Sequence, residues 1–161
     1  MERRNATLLR AADVAGGART YTQTLNPRSR FRGTELATLG GLARARVSHA
    51  TLPAGAESFA YHAHDVQEEW MYVLSGEGLA IVDGKELPIG PGDFLAFPAP
   101  QVPHLVRNPG PGELSYLMGG ERPAMDVLTY PESGRRYLVR GEDGRAAFYR
   151  LDAPEFPFRE E

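Results

Sequence analysis

The chain has four histidines, and two of them, His62 and His64, stand one residue apart in the stretch YHAHDVQEEWMYVLSGEG, residues 61–78. Two glutamates, Glu68 and Glu69, follow in the same stretch, and His104 comes later in PHLVRN. Residues two apart on a strand face the same side. His62 and His64 therefore project together. Glu69 shares parity with Met71 and Val73 and starts an inward row, whereas Glu68 faces outward; His104 shares parity with Val106 and Asn108. If the three strands line one cavity, His62, His64, Glu69 and His104 converge. Three neutral imidazoles and a carboxylate suit a divalent transition metal such as Fe, Mn, Ni, Co, Cu or Zn. Four protein ligands on a roughly octahedral ion leave about two positions for water or substrate.

The elements that must position these residues read as strands. ARARVSHATL, residues 43–52, alternates with period two. SFAYHAH, EWMYVLSGE, FLAFP, HLVRN, ELSYLMGGE and AMDVLTYP continue the series, and GLAIVDGKELPI reads as a hairpin turning at Asp83-Gly84. A further hairpin is expected in RRYLVRGEDGRAAFYRL around Asp143-Gly144. No segment has a long helical period. The expected class is all-β, a single antiparallel sandwich or barrel. Residues 1–35 read as an arm, 36–131 as the barrel, and 132–161 as an extension that includes a hairpin.

Composition agrees with one folded domain. The chain has 161 residues, 42% of them hydrophobic, and its 18 glycines and 13 prolines supply turns rather than long helices. Cysteine is absent, so disulfide and thiolate chemistry are excluded. The N-terminus lacks a sustained apolar stretch, and no run reaches the length of a membrane span; a cytoplasmic protein without signal peptide or membrane partner is expected. Net charge is -3, unevenly distributed. Residues 1–46 carry nine arginines against Glu2, Asp13 and Glu35, a balance of +6, while residues 47–120 come to -7. No nucleic-acid motif accompanies the arginines, and pairing with the acidic body is expected instead. A homodimer in which the arm covers a neighbour's sheet edge follows from that asymmetry.

Two segments resemble the signatures of the cupin superfamily. In the first, Gly55 precedes His62-Ala63-His64, followed after four residues by Glu69 and after six more by Gly76. In the second, GDFLAFPAPQVPHLVRN, Gly92 leads to Pro98, His104 and Asn108. Pro98-Ala99-Pro100 replaces the usual Pro-x-Gly, and the gap to His104 is one residue longer. The resemblance covers about residues 40–120. It implies a double-stranded β-helix, or jelly-roll barrel, with N- and C-terminal extensions. It also implies His62, His64, Glu69 and His104 as metal ligands, with Glu69 favoured over Glu68 by its spacing to Gly76. The segment 126–140 resembles the tail of small single-domain cupins and implies no particular reaction.

The resemblance allows a metal-dependent oxygenase, isomerase or decarboxylase acting on a small molecule. A non-catalytic small-ligand-binding or sensing module is the alternative. Tyr61, Tyr116 and His49 are the thin candidates for an acid or base. Parity sends Arg44, Arg46 and Arg107 outward. His49 reads as a core or rim histidine, Tyr61, Trp70, Phe94 and Phe97 as core, and Asn108 as the stabiliser of a turn.

Overall fold

The structure is a computed structural model that describes residues 8–142 and 145–151. Two short helices, α1 (Ala11–Gly16) and α2 (Leu36–Leu39), accompany the strands. In chain order the strands are β1 (Arg19–Gln23), β2 (Asn26–Glu35), β3 (Ala45–Leu52), β4 (Ala63–His64), β5 (Glu69–Ser75), β6 (Gly78–Val82) and β7 (Lys85–Ile89). They continue with β8 (Phe94–Phe97), β9 (His104–Arg107), β10 (Leu114–Glu121), β11 (Met125–Tyr130), β12 (Arg135–Glu142) and β13 (Arg145–Leu151). No helix among the described residues is long and apolar enough to cross a membrane.

The strands make a mostly β jelly-roll arrangement of three hydrogen-bonded sheets, which are not closed into one continuous barrel. The largest has the order β1-β2-β3-β10-β5-β8; the others are β7-β6-β9 and β13-β12-β11-β4. Alternation explains the core. Met71 and Val73 of β5, Leu95 and Phe97 of β8, and Ala50 and Leu52 of β3 are all buried. They meet Ala80, Ile89 and Val106 from the three-stranded sheet. A second cluster, Ala60, Leu128 and Tyr130, lies beneath the four-stranded sheet. The hairpin at Asp83-Gly84 forms as expected, with φ of 48° and 74° at its two residues.

Residues 19–35 do not reach away from the body. They fold into a hairpin whose β2 pairs with β3 of the same chain, through Arg32 with Thr51 and Thr34 with His49. The C-terminal strands β12 and β13 pair with each other, and β12 pairs with β11; the Asp143-Gly144 turn lies outside the described residues.

Glu57, only 1% exposed, ties the hairpin to the body. Its Oε1 accepts from Arg107 Nε at 2.8 Å and pairs with Arg28 Nη2 at 3.0 Å, while its Oε2 accepts from Asn26 Nδ2 at 2.8 Å. Burial alone would push the carboxyl up, but these donors and the two guanidinium charges hold it below its ordinary 4.5. A lowered folded value means stability that is present above pH 4.5 and lost as pH falls through the folded value. Glu57→Gln is expected to cost about 2 kcal/mol at neutral pH, the size of a charge-assisted hydrogen bond. The deficit should close on acidification, so melting temperatures of variant and wild type converge below pH 4.5. Curves that stay parallel down to acid unfolding would remove this role.

Candidate metal centre

The site is built by long-range pairing. His62 forms an isolated bridge with His104, and β4, which holds His64, pairs with β11 through Leu128 and Thr129. Glu69 opens β5 between β10 and β8, opposite Gly120 and Phe97. All three histidines are buried, at 6%, 7% and 6% exposure for His62, His64 and His104.

The ligand atoms of His62, Glu69 and His104 all lie within 4.8 Å of one another. Glu69 Oε2 is the hub, 3.8 Å from His62 Nε2, 3.2 Å from His64 Nε2 and 3.3 Å from His104 Nε2. His64 stands to one side, its ring centroid 5.0 Å from that of His62 and 6.5 Å from that of His104. The four residues singled out from sequence are therefore brought together, and Glu68 is left exposed as expected.

Each imidazole is oriented through its other nitrogen. His62 Nδ1 donates to Ala60 O at 2.8 Å, His104 Nδ1 to Val102 O at 2.9 Å, and His64 Nδ1 to the Asp126 carboxylate. A carbonyl or carboxylate only accepts, so each Nδ1 carries a proton and Nε2 is the atom turned to the site. Asp126 is itself fixed, its Oδ1 accepting from Val66 N at 2.9 Å and Val127 N at 2.8 Å. On the glutamate, Gln67 Nε2 donates to Oε1 at 3.0 Å, which leaves Oε2 to the histidines.

The three Nε2 atoms converge on one carboxylate oxygen, an arrangement able to share a cation. His64 Nε2 is the clearest sign: although 3.2 Å from Glu69, it makes no aligned hydrogen bond with the described residues. Electrostatics distinguish the rings. Burial, with the neighbouring charge of His104, pushes His62 down to about 3, so it stays neutral. Burial also opposes a charge on His64, but Asp126 and Glu69 outweigh it and raise that ring to about 9. Glu69 is held well below the usual carboxylate range, because the histidine contacts overcome the cost of its burial. The donor set, imidazole nitrogen and a single carboxylate oxygen with outer hydrogen bonds in place, fits a divalent transition ion.

Around these residues lies a cavity of about 170 Å³, open on one side. Phe97 is buried as expected but also forms its wall, stacked on His104 at 3.8 Å and 6°. Trp70 is half-buried and lines the cavity, while its stacking partner Phe94, expected in the core, is 63% exposed. Tyr130 also lines the cavity, its ring centroid 6.0 Å from that of His62. Burial lifts its phenol to about 12, so the hydroxyl keeps its proton. The three acid or base candidates from sequence fall elsewhere. Tyr61 Oη accepts from Gly84 N at 2.8 Å, His49 Nε2 meets Ser115 Oγ at 2.8 Å, and Tyr116 is sealed in the core. Arg107 turns to Glu57, but Arg46, expected outward, lines the cavity together with Ser48. Asn108 holds a turn, donating to Leu52 O and Gly112 O at 2.8 and 2.7 Å and accepting from Gly110 N at 3.0 Å.

Comparison with known proteins agrees with this architecture. Residues 48–120 match the model of the family described as Cupin domain. An uncharacterised protein of Methanocaldococcus jannaschii is 32% identical over 71 residues, 44% of this chain and 55% of that protein, so the match spans about half of the relative's length. A candidate sugar phosphate isomerase from Acidithiobacillus ferrooxidans superposes with a TM-score of 0.80 at 29% identity, covering 92% of this chain and 97% of the other. A sugar phosphate isomerase of the cupin superfamily from Silicibacter pomeroyi follows at 0.71 and 28% identity, covering 87% and 90%. Both signature segments fold into one jelly-roll pocket, residues 48–120 match the cupin domain, and the fold is similar to that of cupin-superfamily structures.

Proposed function

We propose that His62, His64, Glu69 and His104 hold one divalent transition metal ion, and that the protein isomerises a small sugar phosphate in the cavity beside it. One observation carries the metal reading: three Nε2 atoms are directed at a single carboxylate oxygen, each ring fixed from behind by an acceptor on Nδ1. The choice of reaction is supported by the two solved structures at 29% and 28% identity, each of which this chain matches over most of its length. A bound divalent ion supplies Lewis-acid polarisation of a substrate carbonyl or hydroxyl. The remaining work falls to side chains. Phe97, Trp70 and Met71 exclude water from one wall. Tyr130 Oη, which holds its proton at neutral pH, donates a hydrogen bond to a substrate oxygen from the other. Asp126 keeps the His64 ring in place as substrate enters.

A non-catalytic binding module is the second reading. Glu69 is the one carboxylate that lines the cavity among the described residues, so no second carboxylate stands ready as a base.

The test is elemental analysis of protein purified without an affinity tag, followed by NMR of aldose and ketose phosphates in D2O under air and under nitrogen. About one metal per chain and oxygen-independent interconversion are expected. Oxygen consumption would replace the isomerase with an oxygenase, and tight ligand binding without turnover would establish the module. Metal-free protein after loading attempts would overturn the centre itself.

A further inference from the structure

Arg46 is the only arginine or lysine lining the cavity among the described residues. It projects from β3 in the same inward row as Ser48, with Ala50 and Leu52 continuing that row into the core. Its side chain is 45% exposed and lies at the lip of the site, Nη1 3.7 Å from Glu69 Oε1. That distance is beyond a hydrogen bond. Glu69 Oε1 already accepts from Gln67 Nε2 at 3.0 Å, and Arg46 makes its one described hydrogen bond to Gln67 Oε1, a long 3.4 Å. Neutralising Glu69 therefore engages little of the guanidinium. A guanidinium has five N–H donors in a planar fork that matches the oxygens of a carboxylate or phosphate. Most of that fork is unengaged by the described residues and faces the space where a ligand enters.

Charge balance points the same way. With a dication in place, Glu69 and the Asp126 carboxylate behind His64 offset its two charges, and Arg46 leaves an excess of one. A cavity of about 170 Å³ with a net positive charge and apolar walls favours a compact anion.

We propose that Arg46, assisted by the Ser48 hydroxyl, receives an oxyanion group of the substrate, a phosphate or a carboxylate, beside the metal centre. This rests on the metal reading above and assigns the side chains that receive the charged end of the substrate. Arg46 then anchors the ligand by its charged end, and neutral polyols of the same size are discriminated against. The guanidinium acts on the ligand directly, not by holding Glu69.

The test is calorimetric titration of cobalt-loaded full-length protein with inorganic phosphate, with glycolate and with neutral glycerol, in wild type, Arg46→Met and Arg46→Lys. Wild type is expected to bind at least one of the two anions and not glycerol; which anion binds more tightly separates a phosphate-bearing from a carboxylate-bearing substrate. Arg46→Met should weaken anion binding roughly 10- to 100-fold, the loss of one charge-assisted contact. Arg46→Lys should fall between, keeping the charge and losing the fork. Cobalt affinity should hold or rise in Arg46→Met, because a cation beside the site has been removed; a merely structural Arg46 would lower both affinities together. Wild-type anion affinity in fully loaded Arg46→Met overturns the role of Arg46 alone, as does a loaded wild type that binds neither anion. Failure of the wild type to take up cobalt overturns the metal centre instead.

Discussion

His104→Ala is expected to purify without metal and to lose the response of its melting temperature to chelator. In the wild type, a metal present at about 100 times its dissociation constant adds roughly 2.7 kcal/mol to stability. For a chain of 161 residues that corresponds to roughly 5–10 °C, which a chelator should remove. His104 is the most informative ligand to delete because it comes from the second signature segment and reaches the other three only through the fold. Its Nε2 lies 3.3 Å from Glu69 Oε2, and its ring is held between the Val102 carbonyl and the face of Phe97. Without it the site keeps two imidazoles and a carboxylate, and metal affinity should drop more than the 10- to 100-fold typical of losing an outer hydrogen-bond partner. The variant also loses packing against Phe97, so its absolute stability falls with or without metal. The decisive quantity is therefore the difference between melting with and without chelator. Glu68→Ala, on the exposed side of the same segment, is the control and should keep both the metal and the full chelator effect. A His104→Ala protein with one equivalent of metal and an undiminished response would remove His104 from the ligand set.

Most of the candidate centre was legible because its residues obey local rules. Parity placed Glu69 in one row with Met71 and Val73, and these are the buried positions of β5. The two histidines of His-x-His turn the same way, and spacing singled out Glu69 over Glu68. Parity misled at β3, where Arg46 was expected to face outward. The buried row there is Ala50 and Leu52, and it continues through Ser48 and Arg46 into the polar cavity. Inward positions near a site are chosen for the ligand and not for apolarity, so hydrophobic alternation breaks down where function begins. Asp126 and Tyr130 were missed for another reason. They lie on β11, which meets β4 only at Leu128 and Thr129, a pairing without local trace. A signal did exist: in MDVLTY, Asp126 occupies the same buried row as Leu128 and Tyr130, and a carboxylate in such a row needs a partner. Phe94 failed as a core residue because β8 is the edge of its sheet and turns that side chain outward.

Gly76→Ala is expected to destabilise the fold by about 2–5 kcal/mol and to weaken the metal centre with it. Gly76 follows β5 at φ of 81°, a conformation that disfavours any Cβ. It also lies against the start of β10, where an added Cβ would fall 2.2 Å from Glu113 O and 2.9 Å from Leu114 Cα. Both are backbone atoms that cannot rotate away, so relief requires β5 and β10 to shift apart. Gly84 separates the two contributions. Its φ is 74°, but a Cβ there meets nothing within 4 Å, so Gly84→Ala should cost only the conformational part, about 1–2 kcal/mol. Denaturant unfolding of the two variants therefore measures the clash as a difference, and equal costs would remove it. The same shift reaches the site, because β5 and β10 are in register through Gly120 opposite Glu69. Glu69 Oε2 is the point on which all three imidazoles close, and a displacement of β5 moves it relative to His64 on β4, His104 on β9 and His62, which bridges to His104. Reduced metal affinity in Gly76→Ala, with the wild-type value in Gly84→Ala, would show that this glycine sets the register of the strand that carries the carboxylate as well as closing a turn.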